Sequence, residues 1–458
     1  MVNAVQILAT ALAAVGVAAV ATQNHLEALK DAPPGITYKL AKGMQSSSKW
    51  SYLPAKATKA APHVQQLRAI RADRATSFNP RSAAAVLGAH QRHVGGFGYE
   101  NITSTSAYGT QYAVDASFSG HQLSLIIDTG SSDTWAVQKN FHCVDYSGEL
   151  LPQETCGFGE AYPENFQYGV TNPATHMYIQ YGDGEVVTGP MGFSDVSVGN
   201  LTAEKQQVCL ANTTYWYGNN KTSGLLGLAF PSLTNSYLGT GAQHDFGNQV
   251  QYSPLFTSLV GQGLVDPLFS IAIDRNASSG VLALGGIPPV TGLDKSRTAV
   301  LDMIITSVIS LPETAYEYSF YTVIPDGWSW DQTTTTKKIP YIVDSGTTLN
   351  YLPTSVADAI NAAFDPPAVF LWMYGAYFTS CDAFIPQVSV VLDGINFNIS
   401  PVDLLYRGLV DPLTGLCMTA IADGGSGPYI LGDAFMQNAL VVFDIGEAKM
   451  RFIPRQRY

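Results

Sequence analysis

The chain has 458 residues, of which 46% are hydrophobic and 13% charged, so it is long enough for more than one domain and too apolar for a charged disordered tail. Its 42 Gly, 25 Pro, 24 Tyr and 20 Phe favour strands and turns over helical bundles or coiled coils. The net charge of -12 argues against a protein that binds nucleic acid through its phosphates, because such binding needs a basic surface.

Residues 1–21 contain no charged side chain and end in Ala-Val-Ala, which fits the small-residue pattern of signal-peptide cleavage. We therefore expect a signal peptide and secretion, with a vacuolar destination as the alternative. A signal anchor is the other interpretation of this stretch, since it lacks the Lys and Arg that usually precede the apolar segment. No later stretch approaches the ~20 apolar residues of a membrane span, and we expect no stable membrane anchor.

Residues 22–100 form a basic leader ahead of an acidic body. The leader has 11 Lys and Arg against 4 Asp and Glu, whereas residues 101–458 have 13 against 32. Its segment HVQQLRAIRAD shows a weak helical pattern of apolar residues. Composition leaves two interpretations open: a disordered extension, or a propeptide that lies on the acidic body by charge complementarity and leaves when carboxylates are protonated.

Five cysteines in a secreted chain suggest two disulfide bonds and one remaining thiol. Cys143 and Cys156 are close enough in sequence to close a local loop, and Cys381 with Cys417 would close a larger one. Cys209 lies in the apolar run KQQVCLA and is predicted to be a buried thiol. Neither a CxxC pair nor an HExxH motif occurs, so no metal site is expected.

Six N-x-S/T sequons agree with secretion and are candidate glycosylation sites on surface turns. They begin at Asn101, Asn200, Asn212, Asn220, Asn276 and Asn398. Each sequon alone is a frequent chance match, so only their position in turn-rich segments supports exposure.

The acidic body contains an internal repeat. An apolar strand that ends in Asp-Thr/Ser-Gly occurs as LSLIIDTGSSDTW at 123–135 and again as IPYIVDSGTTLNYLP at 339–353. Each copy is followed by a second apolar-apolar-Gly segment, SGLLGLAFP at 223–231 and PYILGDAF at 428–435. With the short alternating segments between them, this repeat predicts two β-rich lobes built from antiparallel sheets.

We place the N-terminal lobe at 101–289 and the C-terminal lobe at 290–458. Each lobe delivers one aspartate, Asp128 or Asp344, to the end of a buried strand, where the following hydroxyl residue and glycine offer hydrogen-bond donors. Two carboxylates brought together by pseudo-symmetry cannot both ionise easily, so they share one proton. One of them can then act as a base toward water and the other as an acid toward a carbonyl.

The motifs DTGSSDTW and DSGTT, each with its apolar-apolar-Gly partner, make the chain from about residue 101 onward resemble the pepsin-like aspartic endopeptidases, most closely their secreted fungal members. Proton sharing between two such aspartates is the known behaviour of that family. The resemblance implies an all-β, bilobal pepsin-like fold with two pseudo-symmetric lobes, a central active-site cleft and a β-hairpin flap. It also implies catalysis without a metal or organic cofactor.

The resemblance assigns roles to residues that match the family's motifs, with Asp128 and Asp344 as the catalytic pair. The supporting residues surround the two aspartates: Thr129 and Ser345 link the active-site loops, Ser131 and Thr347 hydrogen-bond the outer carboxylate oxygens, and Gly130 and Gly346 place backbone N–H groups beside the pair. On these assignments water is the nucleophile and polypeptides are the substrates.

The alternating segment MYIQYGDGE at 177–185 predicts a hairpin, and the resemblance makes it the flap. Its tyrosine is Tyr181, followed by Gly182 at the turn, with Trp135 as the expected hydrogen-bonding neighbour. On residue type alone a Tyr on a strand and a Trp near a turn would fill a core, and the motif context reverses that preference.

The flap turn and its surroundings indicate substrate preference. Asp183 is either a turn former or the partner of a basic substrate side chain, so we expect cleavage after Lys as well as after hydrophobic residues. Leu225 and Thr222 are expected to line an apolar pocket beside the flap, which favours Leu, Phe or Tyr at the cleaved bond. The sequence leaves open the role of Glu185 and that of the aromatic segment 313–338.

The sequence therefore predicts a secreted acid endopeptidase, made as a zymogen, monomeric, acting on polypeptides and inhibited by its own propeptide. The alternative is a catalytically silent pepsin-fold binding or inhibitor protein, which would keep the fold and lose the dyad or the flap tyrosine. A serine hydrolase lacks support because no G-x-S-x-G elbow occurs. A carbohydrate-binding β-sandwich would not need two Asp-hydroxyl-Gly turns.

Overall fold

The computed structural model describes residues 39–40, 63–71, 110–241, 248–274, 280–288, 290–305 and 319–455. The predicted signal peptide, most of the leader, and the sequons at Asn101 and Asn276 lie outside these residues. Strands dominate the described part of the chain, and its α-helices are short.

The strands before residue 290, where we expect the boundary between the lobes, are mostly long. They are β1 (Lys39–Leu40), β2 (His63–Arg71), β3 (Thr110–Phe118), β4 (His121–Asp128), β5 (Thr134–Val144), β6 (Leu150–Leu151), β7 (Thr175–Gln180), β8 (Val186–Val198), β9 (Leu201–Tyr215), β10 (Gly224–Gly227), β11 (Ser236–Leu238), β12 (Leu268–Ile273) and β13 (Gly280–Leu284).

The strands after residue 290 are shorter. They are β14 (Ala299–Asp302), β15 (Ile304–Ile305), β16 (Thr322–Val323), β17 (Gly327–Trp330), β18 (Thr333–Thr335), β19 (Tyr341–Val343), β20 (Asn350–Leu352), β21 (Val369–Leu371), β22 (Ala376–Thr379), β23 (Val388–Leu392), β24 (Ile395–Ile399), β25 (Leu405–Val410), β26 (Cys417–Thr419), β27 (Ile421–Asp423), β28 (Ile430–Leu431), β29 (Ala439–Asp444) and β30 (Lys449–Pro454). The α-helices are α1 (Leu255–Gly261), α2 (Thr354–Ala362), α3 (Pro401–Leu404) and α4 (Asp433–Met436), and 3-10 turns occur at Gln153–Cys156, Pro231–Leu233 and Lys295–Arg297.

One large sheet joins the two lobes. Its 15 strands run in the order β11-β7-β8-β9-β5-β10-β4-β3-β2-β13-β12-β29-β30-β14, with β6 paired to β5. The C-terminal lobe adds a seven-stranded sheet, β1-β15-β16-β19-β28-β20-β27, and two four-stranded sheets, β18-β17-β23-β24 and β21-β22-β26-β25. The fold is therefore the all-β, bilobal architecture expected from the repeat, and its main hydrophobic core draws buried residues from both lobes.

The repeat is visible in the parallel strand pairs, which are β4–β10 and β5–β9 before residue 290 and β19–β28 and β20–β27 after it. Strand β10 runs parallel to β4, with Gly227 opposite Asp128, and β28 runs parallel to β19, with Leu431 opposite Val343. The glycine at the end of each apolar segment is required by close packing. A Cβ at Gly227 would lie 2.4 Å from the carbonyl carbon of Ser132, and one at Gly432 would lie 2.4 Å from two carbonyl oxygens.

The leader segment HVQQLRAIRAD corrects one sequence expectation. Its weak helical pattern is wrong as a predictor, because residues His63–Arg71 form strand β2. This strand pairs antiparallel with β13 on one side and β3 on the other. A helix of about ten residues is marginal on its own, and ladders on both edges of a strand outweigh so weak a local preference.

The aromatic segment 313–338 has a structural role from residue 319 onward. Tyr321 is fully buried and its hydroxyl donates to the carbonyl of Leu228 at 2.7 Å, so it connects the segment to the N-terminal lobe. Trp328 is also buried, and its indole N–H donates to the Tyr341 hydroxyl at 3.1 Å. These bonds place the segment in the core instead of in a surface loop.

The disulfide bonds, the remaining thiol and the described sequon asparagines lie as the sequence predicted. Cys143 is bonded to Cys156 and Cys381 to Cys417, while Cys209 is a buried thiol. Four sequon asparagines are exposed: Asn200, Asn212, Asn220 and Asn398. Among the described residues, no helix has the length and apolar character needed to cross a membrane.

Removing either disulfide should destabilise the fold, and the larger loop should matter more. Cys381–Cys417 joins residues 36 positions apart, and Cys143–Cys156 joins residues 13 positions apart. The loop-entropy relation gives stabilisations of about 4 and about 3 kcal/mol, respectively. We expect Cys381→Ala/Cys417→Ala to lower the thermal midpoint more than Cys143→Ala/Cys156→Ala. Differential scanning calorimetry of the two double variants provides the comparison, and the reverse order would contradict the loop-length argument.

Candidate active site

The two motif aspartates meet between the lobes. Asp128 is the last residue of β4, and Asp344 directly follows β19. Both are buried, with 6% and 0% of their surface exposed. A Cβ built on Gly346 would lie 2.5 Å from Oδ1 of Asp128, so the loop of the C-terminal lobe touches the carboxyl group of the N-terminal lobe.

Both carboxyl groups receive the same set of donors. One oxygen accepts a backbone N–H from the residue two positions later, and the other accepts a hydroxyl from the residue three positions later. The bonds are Gly130 N to Asp128 Oδ1 at 2.7 Å, Gly346 N to Asp344 Oδ1 at 2.9 Å, Ser131 Oγ to Asp128 Oδ2, and Thr347 Oγ1 to Asp344 Oδ2 at 2.5 Å. This arrangement favours the ionised form of each carboxyl group.

Thr129 and Ser345 connect the two loops by reciprocal hydrogen bonds. Thr129 N donates to Ser345 Oγ at 3.2 Å, and Ser345 N donates to Thr129 Oγ1 at 2.9 Å. Each hydroxyl then donates to the carbonyl that precedes the other lobe's aspartate, Thr129 to Val343 at 3.0 Å and Ser345 to Ile127 at 3.2 Å. The four bonds fix the separation of the carboxyl groups because they tie the backbones that carry them.

The electrostatics of the pair favour a retained proton. Burial raises the pKa of Asp128, while the bonds from Ser131 and Gly130 act in the opposite direction. Burial and then the charge of Asp128 raise the pKa of Asp344 well above its ordinary value. Asp433 on α4 is also buried, and burial together with the charges of the pair raises its pKa. The site can therefore hold one proton and one negative charge in acid.

The predicted flap is a hairpin of β7 and β8 with a tight tip. Gln180 pairs with Val186, and within the tip Tyr181 N donates to the carbonyl of Glu185 at 2.8 Å. Gly184 has φ +93°, which glycine adopts without strain. The indole N–H of Trp135 donates to the Tyr181 hydroxyl at 2.9 Å. Gly182 is buried in the same turn.

A cavity opens between the flap and Asp128. Leu225 and Tyr181 line it, and so do Trp216 and Gln111, which the sequence analysis missed. Thr222 does not lie on this wall, because its hydroxyl is buried and donates to Asn219 Oδ1 at 3.1 Å. Nothing in the run YWYGNN, which contains Trp216, indicated that this residue would line the cavity.

Of the two acidic residues of the flap, Glu185 lines the cavity and Asp183 does not. Asp183 is buried and accepts the backbone N–H of Glu185 at 3.1 Å, and burial raises its pKa to about 7. Glu185 is the flap carboxyl group that lines the cavity, and it accepts the backbone N–H of Tyr217 at 2.6 Å.

Comparison with known proteins identifies the class. Residues 111–454 match the family model described as eukaryotic aspartyl protease. A probable aspartic-type endopeptidase of Aspergillus fumigatus is 37% identical over 367 residues, which cover 78% of this chain and 81% of that protein. Penicillopepsin-3 of Penicillium janthinellum is 28% identical, covering 77% of this chain and 80% of the relative.

Among solved structures, the fold is similar to the aspartic proteinase from Irpex lacteus, with a TM-score of 0.57, 18% identity, and coverage of 76% of this chain and 94% of that one. The chain therefore belongs to the eukaryotic aspartyl protease family and has its bilobal fold. It is a hydrolase of the aspartic endopeptidase type.

The hydroxyl donors should set the two limbs of the pH–rate profile. Ser131→Ala removes a bond that lowers the pKa of Asp128, so the acid limb of kcat/KM should move to higher pH. Thr347→Ala removes the matching bond to Asp344, so the alkaline limb should move to higher pH. Peptide hydrolysis across the acid range measures both limbs.

Ser132→Ala serves as the control, because Ser132 lies in the same loop and donates to the carbonyl of Phe230 instead of to Asp128 or Asp344. Its limbs should coincide with those of the parent enzyme. Limbs that stay in place in Ser131→Ala and Thr347→Ala, or move to lower pH, would contradict the assignment.

Proposed function

We propose that this chain is a secreted acid endopeptidase, made as a zymogen, in which Asp128 and Asp344 activate water for peptide hydrolysis. The observation that carries the proposal is the pair of buried carboxyl groups, one from each lobe, with matching donors and a reciprocal link through Thr129 and Ser345. The cavity under Tyr181 provides space for a substrate side chain directly beside the pair.

In the proposed mechanism the ionised carboxyl group takes a proton from a water molecule while the oxygen of that water attacks the peptide carbonyl carbon. The protonated carboxyl group gives its proton to the carbonyl oxygen, which yields a tetrahedral diol. The diol collapses when the C–N bond breaks: the leaving nitrogen takes a proton from one carboxyl group of the pair, and one diol hydroxyl gives its proton to the other. The products are an amine and a carboxylic acid, and the pair again holds one proton. Asp344, not Asp128, carries the initial proton in this mechanism, since the pKa of Asp344 is raised both by burial and by the charge of Asp128.

The walls of the cavity support a hydrophobic side chain at the cleaved bond. Ile126, Leu225 and Trp216 give an apolar surface on which Leu, Phe or Tyr would be desolvated. The acidic flap tip supports additional acceptance of Lys, as the sequence suggested for Asp183. The substrate would lie extended along the cleft, with its backbone hydrogen-bonded by the flap hairpin.

Secretion, glycosylation and zymogen formation are supported by features outside the cleft. The uncharged first 21 residues fit a signal peptide, and the four described sequon asparagines are exposed. The basic leader complements the acidic body in charge, and its strand β2 lies within the sheet that joins the lobes. We propose that the leader is an intramolecular inhibitor and that the mature enzyme is a monomer.

Substitution of either aspartate should abolish proteolysis. With Asp128→Asn or Asp344→Asn the pair can no longer act as both acid and base, so cleavage of an unfolded protein should fall by on the order of 10³-fold or more. Mass spectrometry of the fragments, at acidic and neutral pH, measures the loss and maps the cleaved bonds. Acid-treated, leader-free parent protein that cleaves nothing would instead favour the silent binding or inhibitor protein.

The leader should inhibit the mature enzyme in a pH-dependent way. A peptide of residues 22–100 added to the mature enzyme should inhibit near neutral pH and lose potency in acid, because protonation of carboxylates removes the charge complementarity. A scrambled peptide of the same composition separates sequence-specific binding from charge alone. Absence of inhibition by the leader peptide near pH 7 would overturn the zymogen proposal.

A further inference from the structure

A loop outside the cleft lies directly behind one wall of the cavity. We call residues 143–159 the disulfide loop, because the bond between Cys143 and Cys156 fixes it to strand β5. Its last residues pack against residues 216–222, the wall segment, which begins with the cavity residue Trp216. The mechanism proposed above uses no residue of the disulfide loop.

Backbone hydrogen bonds join the disulfide loop to the wall segment. Gly218 N donates to the carbonyl of Cys156 at 2.9 Å, and Gly159 N donates to the carbonyl of Thr222 at 2.8 Å. The two backbones lie so close that a Cβ built on Gly218 would be 2.1 Å from the carbonyl oxygen of Gly157. The wall segment therefore cannot move away from the cleft unless the disulfide loop moves with it.

Phe158 is the side chain through which the disulfide loop reaches the cavity wall. Its ring stacks on the indole of Trp216, with centroids 5.8 Å apart and planes at 13° to each other. It also meets Trp135 and Phe141 edge to face, with centroid distances of 6.0 and 5.4 Å. Phe158 itself is half-buried and is not among the residues that line the cavity.

The ring contacts continue from Phe158 to the flap. The indole of Trp216 lies edge to face with Trp135 at 5.2 Å and with Tyr181 at 5.6 Å. Among the ring contacts of Trp216 within the described residues, the one with Phe158 is the parallel one. Because a stacked ring covers the face of the indole, Phe158 fixes the tilt of Trp216 and with it the depth of the cavity.

The aromatic rings belong to a hydrophobic cluster that is continuous with the cavity lining. Ile126 and Leu225 belong both to this cluster and to the cavity wall. Protein interiors are close-packed, so a change of volume at one position is felt by its neighbours. A change at Phe158 should therefore alter the shape of the cavity, whereas a role limited to stability would leave that shape unchanged.

We propose that Phe158 is a positioning residue that sets the size of the substrate side chain accepted beside the catalytic pair, because it holds the indole of Trp216 against the cavity. The proposal rests on the endopeptidase function proposed above. The substrate contacts Trp216 and not Phe158, so the disulfide loop acts on specificity from outside the cleft.

The direction of the effect follows from the packing. Replacement of Phe158 by leucine removes the ring and leaves space, into which the neighbouring side chains relax only in part. Of the three rings that contact Phe158, Trp216 is the one that lines the cavity, and its movement into this space enlarges the cavity. A bulky aromatic substrate side chain then gains room, whereas a leucine side chain loses contact with the wall.

The test uses two peptides that differ only at the residue before the cleaved bond, leucine in one and naphthylalanine in the other. In Phe158→Leu, the naphthylalanine-to-leucine ratio of kcat/KM should rise at least about fivefold over that of the parent enzyme, within the range by which apolar pockets discriminate small differences in size. Phe158→Tyr keeps the stacked ring and should retain the parent ratio.

Phe141→Leu is the matched control. Phe141 is buried on β5, and its ring contacts Phe158 rather than Trp216. This variant removes a ring from the same hydrophobic cluster, so its thermal midpoint should fall at least as far as that of Phe158→Leu while the ratio keeps its parent value. An equal rise of the ratio in both variants would assign the effect to a general loss of packing and overturn the positioning role.

The outcomes separate this inference from the proposed function. An unchanged ratio in folded Phe158→Leu, with the leucine peptide cleaved, overturns the role of Phe158 and leaves the endopeptidase intact. Failure of the parent enzyme to cleave either peptide or an unfolded protein overturns the proposed function itself. If Phe158→Leu does not fold, Phe158→Met decides, because it keeps most of the side-chain volume, loses the planar ring and carries the same expected rise.

Discussion

The burial of two carboxyl groups against each other is the constraint on which the proposed catalytic centre depends. Removing a carboxylate from water raises its pKa, and a second carboxylate beside it raises the pKa further. The centre offsets this with two donors to each group and with the reciprocal Thr129–Ser345 bonds. Those bonds fix the loop backbones, so the carboxyl groups cannot relieve their repulsion by moving apart.

The same constraint explains why the two lobes repeat a strand pattern. Each aspartate stands at the end of a strand that is covered by a parallel neighbour, β10 in one lobe and β28 in the other. The neighbour fills the space under the active-site loop, and only glycine fits at its end, as at Gly227 and Gly432. Loop, aspartate and covering strand thus form one unit, which each lobe contributes once.

The sequence predicted the fold class and the residues around the aspartates well, because Asp-Thr/Ser-Gly and its glycine partner act over a few neighbouring residues. It did not predict features that depend on contacts with residues distant in the sequence. Strand β2 owes its conformation to β3 and β13, and the wall residue Trp216 owes its place to the flap above it. Asp183 illustrates the same limit, since its burial is set by tertiary packing, which its local turn does not reveal.

The 15-stranded sheet that crosses from one lobe to the other affects how the cleft can open. A rigid rotation of the lobes would shear the ladder between β12 and β29, which spans five residue pairs. The flap tip is held by the Trp135–Tyr181 bond, by its own turn and by the bond from Tyr217 N to the Glu185 carboxylate. Lifting of the tip, Tyr181–Glu185, would break these contacts and leave the ladder between β12 and β29 intact.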